Sequence, residues 1–452
     1  MVRDLRNAVM EVNTVFGNGN RGENFHQTIA FMDDTGVEDN VVNLYPEIEY
    51  QTLEGFGGAI TEAAGYVYSL LSEEEKKGLM HAYFSKEGMH YSLVRIHIDS
   101  CDFCLDQYCA LNDEKDPEKT DLSRIEKYIL PMLRDAYGEA EKNGIKLKIM
   151  LSPWSPPAFM KSNKSRIHGG RLLKEYYGAY ADYLCRYIIE FQKYGFEVSR
   201  MSMQNEPNAS QTWDSCVWSA SEQKEFLRDY LYPQMQKCGL ENIEIFLWDH
   251  NKERLYENMR DIIDEETDKM VAGAAFHWYS GDHFEALDLA GRIYPDKKLI
   301  LSESCIELCK FDRNDGFKAA CSLAHEMIGD LEHGMSAFYD WNMLLNSAGG
   351  PHHVENDCLS PFMYDEKRKR LEENLIAKYY RVIAGKIVPG SVRIASTKYT
   401  QDIDVTSWKR QDDSIVMIIL NKTDENKKIT VRINGKIAET LVYPHSISSL
   451  EI

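Results

Sequence analysis

Between about residues 50 and 385, short and nearly continuous apolar runs alternate with longer amphipathic stretches of helical character. The runs are "GFGGAI" at 55–60, "YSLVRIHI" at 91–98, "KLKIMLS" at 146–152, "VSRMSMQNE" at 198–206, "IEIFLWD" at 243–249, "AGAAFHWY" at 272–279, "KLILSES" at 298–304 and "SAFYDWN" at 336–342. Runs of this kind suit parallel strands covered on both faces, where no side is left to water. The stretches between them carry helix signals. "LSEEEKKGLMHAYF" places Ser72 and Glu75 at capping-box spacing, and other stretches end at Asn143-Gly144, Gly195 and Gly239. Pro131 and Pro233 predict kinks or local breaks. Eight strands separated by helices predict a (β/α)8 barrel.

After Gly385 the pattern changes. "GSVRIAST", "QDIDVTSWKR", "DSIVMIILNKT", "KKITVRING" and "AETLVYPHSISSLEI" are short, partly alternating runs divided by polar turns, as in antiparallel sheet. About 65 residues make a sandwich only if another segment completes it, and "NVVNLYPEIEYQTLEG" near the start has the same character. The predicted organisation is residues 1–52 contributing to a β-sandwich, 53–385 forming the barrel, and 386–452 forming the rest of the sandwich. The fold class is therefore α/β, a TIM barrel with an antiparallel side domain built from both termini.

Charge and composition narrow the function. A net charge of −20 over 452 residues argues against binding a nucleic-acid backbone, which requires a basic footprint. There is no apolar run long enough for a membrane span, and the N-terminus has no signal-peptide core. Ten cysteines in such a chain predict reduced thiols and a cytoplasmic location. Cys101 and Cys104 form a CxxC, but no second CxxC or His pair completes a zinc site, so they read as core or rim thiols. The glycines of "EGFGG" lack nucleotide-loop spacing and read as a close-packed first barrel strand.

In a (β/α)8 barrel the pocket lies at the C-terminal strand ends. Glu206 is predicted to end the fourth strand and Glu303 the seventh, which brings both to one mouth. Two carboxylates flanking a sugar bond are the usual equipment of glycoside hydrolysis. The same strand ends supply Arg95, His97, Asp102, Trp154, Asn205, Trp248, Asp249, His277, Trp278, Tyr279, Trp341 and Asn342, a mixture of ring faces and polar groups suited to sugar.

The stretches "GFGGAITEAA", "YSLVRIHIDSCDF", "SPWSPPAFMKSN", "QNEP", "FHWY", "SESC", "DWNMLLNSAGGP" and "SPFMY" resemble glycoside hydrolase family 30, which contains the acid β-glucosidases (glucosylceramidases). The resemblance implies a barrel joined to a side β-sandwich. It also implies retaining hydrolysis of a β-glycoside, with Glu206 as acid/base and Glu303 as nucleophile. Asn205 would bind the sugar 2-hydroxyl, and Asp102, Trp154, Trp341 and Asn356 the remaining ring. Arg95, His277 and Tyr279 would orient the two carboxyls. Glu206 is expected to have a raised pKa and Glu303 to be held ionised by Arg95 or Tyr279. No metal or organic cofactor is expected, and the partner is a carbohydrate or glycoside.

The expected substrate is a β-glucoside attacked from the chain end. The alternatives are a β-xylosidase, a β-fucosidase or an endo-β-1,6-glucanase of the same family, and, from another class, a non-catalytic sugar-binding protein. The chain departs from the glucosylceramidase pattern at His352-His353 and in "NASQTWDSCVWSASEQ", both where the leaving group would be read.

Overall fold

The computed structural model describes residues 8–17, 25–111 and 119–452. Residues 1–7 and 18–24 of the predicted N-terminal segment lie outside the described residues. Eight parallel strands close into a barrel: Gly55–Ala59, Leu93–Ile98, Lys148–Pro153, Val198–Ser202, Glu244–Asn251, Gly273–His277, Lys298–Glu303 and Met335–Asp340. Each predicted run overlaps one of them.

Alternation inside each strand divides its side chains between two environments. On Leu93–Ile98, Val94, Ile96 and Ile98 pack outward into the large core shared with the helices, while Leu93 joins Met150, Phe246, Ala275, Ile300, Ala337 and Tyr339 in a cluster of its own. That cluster fills the barrel interior, and Arg95, on the same face as Leu93 and two residues further on, points toward the mouth. Gly57 has no room for a side chain: a Cβ there would meet the Leu93 carbonyl oxygen at 2.0 Å.

The helix signals are realised. Ser72 caps Glu73–Phe84 in a full capping box with Glu75. Gly144, Gly195 and Gly239 all adopt positive φ where helices stop. Both prolines fall beside local breaks, as expected. Pro131 sits in the first turn of Ile129–Lys142, behind a break at Tyr128, and Pro233 opens Tyr232–Lys237 behind a π-turn at Leu227–Leu231. Both positions need no N–H from the proline.

The second body is a ten-stranded sheet folded around its own core. Its order is Phe25–Ala30, Val9–Phe16, Ser446–Glu451, Ile415–Asn421, Ile403–Lys409, Val392–Lys398, Val41–Thr52, Lys427–Ile433, Lys436–Val442 and Met32–Asp33. Both ends of the chain contribute, as the composition required. The uninterrupted apolar strand Ile415–Asn421 has a clear reason. Ile415, Met417 and Ile419 face the sheet's own core, while Val416, Ile418 and Leu420 join the barrel core. A strand of period two is thus buried on both sides, and the two bodies share a continuous apolar contact.

Candidate active site

The strand ends converge on a cavity of about 260 Å³ lined by Asp102, Trp154, Asn205, Glu206, Tyr279, Glu303, Trp341 and Asn356, with buried Cys305 and the partly or fully exposed Gln211, Trp213, His250, Asn251, Glu307 and Lys310 completing the wall. All eight predicted site residues in the first group are therefore together. Arg95 and His277 are fully buried behind the wall.

Glu303 ends its strand as expected. Glu206 does not: the strand stops at Ser202, and Glu206 stands in the following turn at φ 47°. A non-glycine residue held in this region costs energy and persists only where its neighbours fix it. They do so here: the Glu206 N–H donates to the Asp249 carbonyl at 2.9 Å and the Asn205 N–H to Pro153 at 2.8 Å. The Gln204 side-chain amide donates to the Trp154 carbonyl at 2.7 Å. Trp248 and Asp249 also adopt positive φ, at 70° and 50°, where the register with the neighbouring strand shifts. The bend turns the Asp249 carboxylate into the barrel.

Asp249 is the centre of the network. It accepts from Arg95 Nη2 at 2.9 Å, His277 Nε2 at 3.1 Å, and the Ser202 and Ser302 hydroxyls at 2.5 Å each. Four donors satisfy a fully buried carboxylate, and Arg95 and His277 overcome the effect of burial to hold it far below the usual range. Arg95 then reaches three further groups: Nη1 donates to Glu303 Oε2 at 2.7 Å, Nη2 to Asn205 Oδ1 at 2.8 Å, and Nε to Ser152 at 3.1 Å. Because Arg95 occupies the Asn205 oxygen, the Asn205 NH₂ is left to donate into the cavity. The guanidinium also lies 4.9 Å from the Trp154 ring and 5.5 Å from that of Trp341, and the two indoles stack at 5.3 Å.

The other glutamate oxygens are equally defined. The Tyr279 hydroxyl donates to Glu303 Oε1 at 2.9 Å, and His277 Nδ1 lies 3.2 Å from Glu206 Oε1. Oxygens of Glu206 and Glu303 and a nitrogen of His277 all lie within 4.8 Å of one another. Across the cavity the Asn356 amide donates to Asp102 at 2.8 Å.

Burial opposes charge on His277, but Glu303, Asp249 and Glu206 together raise its pKa to about 9. Both ring nitrogens face carboxylate oxygens, so the imidazolium is fully partnered. This corrects the expected proton order. Burial alone would raise Glu206, yet the His277 hydrogen bond and the nearby charges of His250 and His277 hold it below its ordinary value. Burial, with the repulsion of Glu206, instead pushes Glu303 up against His277 and Arg95. Asp102 is also raised, first by burial and then by Glu303. By linkage, the contribution of His277 to stability is complete below its ordinary value of about 6.5 and is lost as pH rises through about 9. That of Asp249 is present above the ordinary aspartate value and is lost as pH falls toward its depressed one.

Other strand-end residues do structural work. Trp278 donates to the Cys305 carbonyl and stacks on Phe311; Trp248 donates to the Asn251 carbonyl. The nitrogens of His97 face the Asp99 carbonyl and accept the Glu62 N–H, and buried Cys101 and Cys104 pack beside it. Sequence reasoning noted Asp249 but gave it no role, and it left out Trp213 and Lys310. Their only signal was position in loops following the two glutamates.

A closed (β/α)8 barrel with paired glutamates, ring walls and side-chain amides at its mouth defines a sugar-cleaving barrel enzyme. The chain belongs to glycoside hydrolase family 30: the family's TIM-barrel model matches residues 53–383 and its β-sandwich model residues 390–450. It is similar to the lysosomal acid glucosylceramidase of Mus musculus, at 25% identity over 86% of this chain and 79% of that protein. Among solved structures, SrfJ from Salmonella typhimurium superposes with a TM-score of 0.94 at 32% identity, covering 98% of this chain and 99% of that one. The endo-β1,6-glucanase BT3312 superposes with a TM-score of 0.86 at 26% identity, covering 98% of each. The chain is a glycosidase.

Proposed function

We propose that this glycosidase hydrolyses a β-glucoside from the chain end by double displacement, with Glu303 as nucleophile and Glu206 as acid/base. One observation carries the reading: the facing oxygens of Glu206 and Glu303 lie within 4.8 Å. Retaining enzymes hold their carboxyls about 5–5.5 Å apart, whereas inverting enzymes leave about 6.5–9.5 Å for a water. The small cavity, walled by stacked Trp154 and Trp341 and by the Asp102–Asn356 pair, suits a single terminal ring. Both Glu303 oxygens accept a donor, which supports its ionised form against the effect of burial. The proton for the leaving oxygen is stored on the Glu206–His277 pair and crosses the 3.2 Å contact as the glycosidic bond breaks. Water then enters, Glu206 accepts its proton, and the sugar leaves with its configuration kept. The similarity to an endo-β1,6-glucanase favours internal cleavage of β-1,6-glucan as the second reading.

A panel of aryl β-glycosides with product analysis on β-1,6-glucan separates the two. Monosaccharide alone supports attack from the end, and oligosaccharide products overturn it. Glu206→Gln should spare aryl glucosides with good leaving groups, which need no proton, and lose those with poor ones by about 10²–10⁴-fold. An equal loss across the series would remove Glu206 from the acid role.

The pH–rate profile should be bell-shaped. Its acid limb reports ionisation of Glu303 and should lie above the ordinary glutamate range, since burial raises that group. Its alkaline limb reports loss of the shared proton and should lie near 9. In His277→Gln the alkaline limb should move to lower pH, because the proton then rests on Glu206 alone. An unchanged limb would exclude His277 as the store.

A further inference from the structure

Resting on the β-glucoside reading, we infer that the opening of the cavity is a second subsite that takes a hydrophilic sugar as the leaving group, with the indole of Trp213 as its platform. The residues there come from the loops beside Glu206 and Glu303. Gln211 and Trp213 follow Glu206 by five and seven residues, His250 and Asn251 follow Asp249, and Glu307 and Lys310 follow Glu303. The leaving group must lie against the acid, so these side chains flank it.

The rings of the barrel single out Trp213. Trp154 stacks with Trp341, Trp218 packs on Tyr177 and Phe226, Trp248 on His250, and Trp278 on Phe311. Among the described residues Trp213 alone of the barrel tryptophans meets no other ring, yet it lines the cavity and is only partly buried. Its backbone is held firmly. The Ser215 hydroxyl donates to the Trp213 carbonyl at 3.0 Å and accepts the Gln211 N–H at 3.1 Å. Next to it, buried Asp214 accepts from buried Arg166 at 2.7 Å. A partly exposed ring in the cavity wall, on a firmly held loop, is a ready surface for the C–H face of a sugar.

Its neighbours are polar. Gln211 offers an amide, and Lys310 pairs with Glu307 while its ammonium lies 5.9 Å from the Tyr279 ring centroid. These are hydroxyl-binding groups. A lipid leaving group would require apolar walls, since each buried methylene is worth about 0.8 kcal/mol. None of the large apolar side chains that stand exposed among the described residues lines this cavity. They lie in or beside the side sheet and on the helices Glu62–Leu70 and Phe284–Ile293.

Kinetics of the full chain on three substrates test this. β-Glucosyl fluoride has a leaving group too small to use the subsite, a β-linked glucose disaccharide fills it with sugar, and glucosylceramide in detergent micelles offers it a lipid. The disaccharide should be preferred to glucosylceramide by at least about 10-fold in kcat/KM. Trp213→Ala should lower kcat/KM on the disaccharide by about 10-fold or more, with turnover of the fluoride within twofold of the native enzyme. Trp213→Tyr, which keeps a ring face, should restore most of the loss. Preference for glucosylceramide, or an equal loss on disaccharide and fluoride, would overturn the sugar subsite while leaving the β-glucoside reading in place. Failure of the native enzyme to turn over the fluoride would overturn both.

Discussion

Replacing Glu303 with glutamine should lower kcat on every β-glucoside by at least about 10⁴-fold, the scale on which covalent catalysis is lost when its nucleophile is removed. The substitution is nearly isosteric, and the amide oxygen still accepts from Arg95 or Tyr279, so the protein should stay folded. Two further readouts distinguish a nucleophile from a merely structural glutamate. In a variant truncated to Glu303→Gly, azide should enter the vacated space and attack the anomeric carbon directly, giving the α-glycosyl azide. In Glu206→Ala, azide should instead attack the glycosyl-enzyme and give the β product. These opposite outcomes follow from one or two inversions at the same carbon. The His277 ring, raised by the Glu303 charge before its other partners, should titrate lower in Glu303→Gln, as imidazole NMR can measure. Near-native turnover of aryl glucosides by Glu303→Gln would end the double-displacement reading.

Arg95→Leu is expected to damage stability and activity together. The guanidinium is fully buried and partners two carboxylates that are themselves inside the barrel. Removing one member of such a set leaves uncompensated charge and costs about 3–5 kcal/mol, which should appear as a lower thermal midpoint. Its effect on catalysis is separable from folding. Arg95→Lys retains the charge but cannot reproduce the fork that reaches Glu303, Asp249, Asn205 and Ser152 at once. With less positive charge held against it, Glu303 should ionise at still higher pH, moving the acid limb of the rate profile upward. Native kinetics in Arg95→Lys would show that the fork is not needed.

The extent to which the site could be read from the chain differs among its parts. Glu303, Tyr279, Trp341 and Asp102 lie at or just beyond strand ends, where a local rule of barrels finds them. Glu206 does not end its strand, which stops four residues earlier; a left-handed backbone turn carries it to the mouth beside Glu303. Asp249 was one polar residue among several. Its four donors come from the second, fourth, sixth and seventh strands, and no local pattern reveals that convergence. The proton order was misread for the same reason: it depends on His277, which is 71 residues from Glu206 in the chain and 3.2 Å away in space.

By itself, the sequence determined the eight strands, the side sheet drawn from both ends, the family, and the two glutamates as a pair. These depend on burial patterns with periods of two and 3.6, on caps and on short motifs, all of which are local properties of a chain. Only the tertiary structure decided the left-handed turn beneath Glu206, the convergence of four donors on Asp249, the contact of His277 with Glu206 and the place of Trp213 in the cavity wall. Each of these is set by distances and charges between residues far apart in sequence, and barrel closure is what brings them within a few ångströms, out of water, where those interactions are strong.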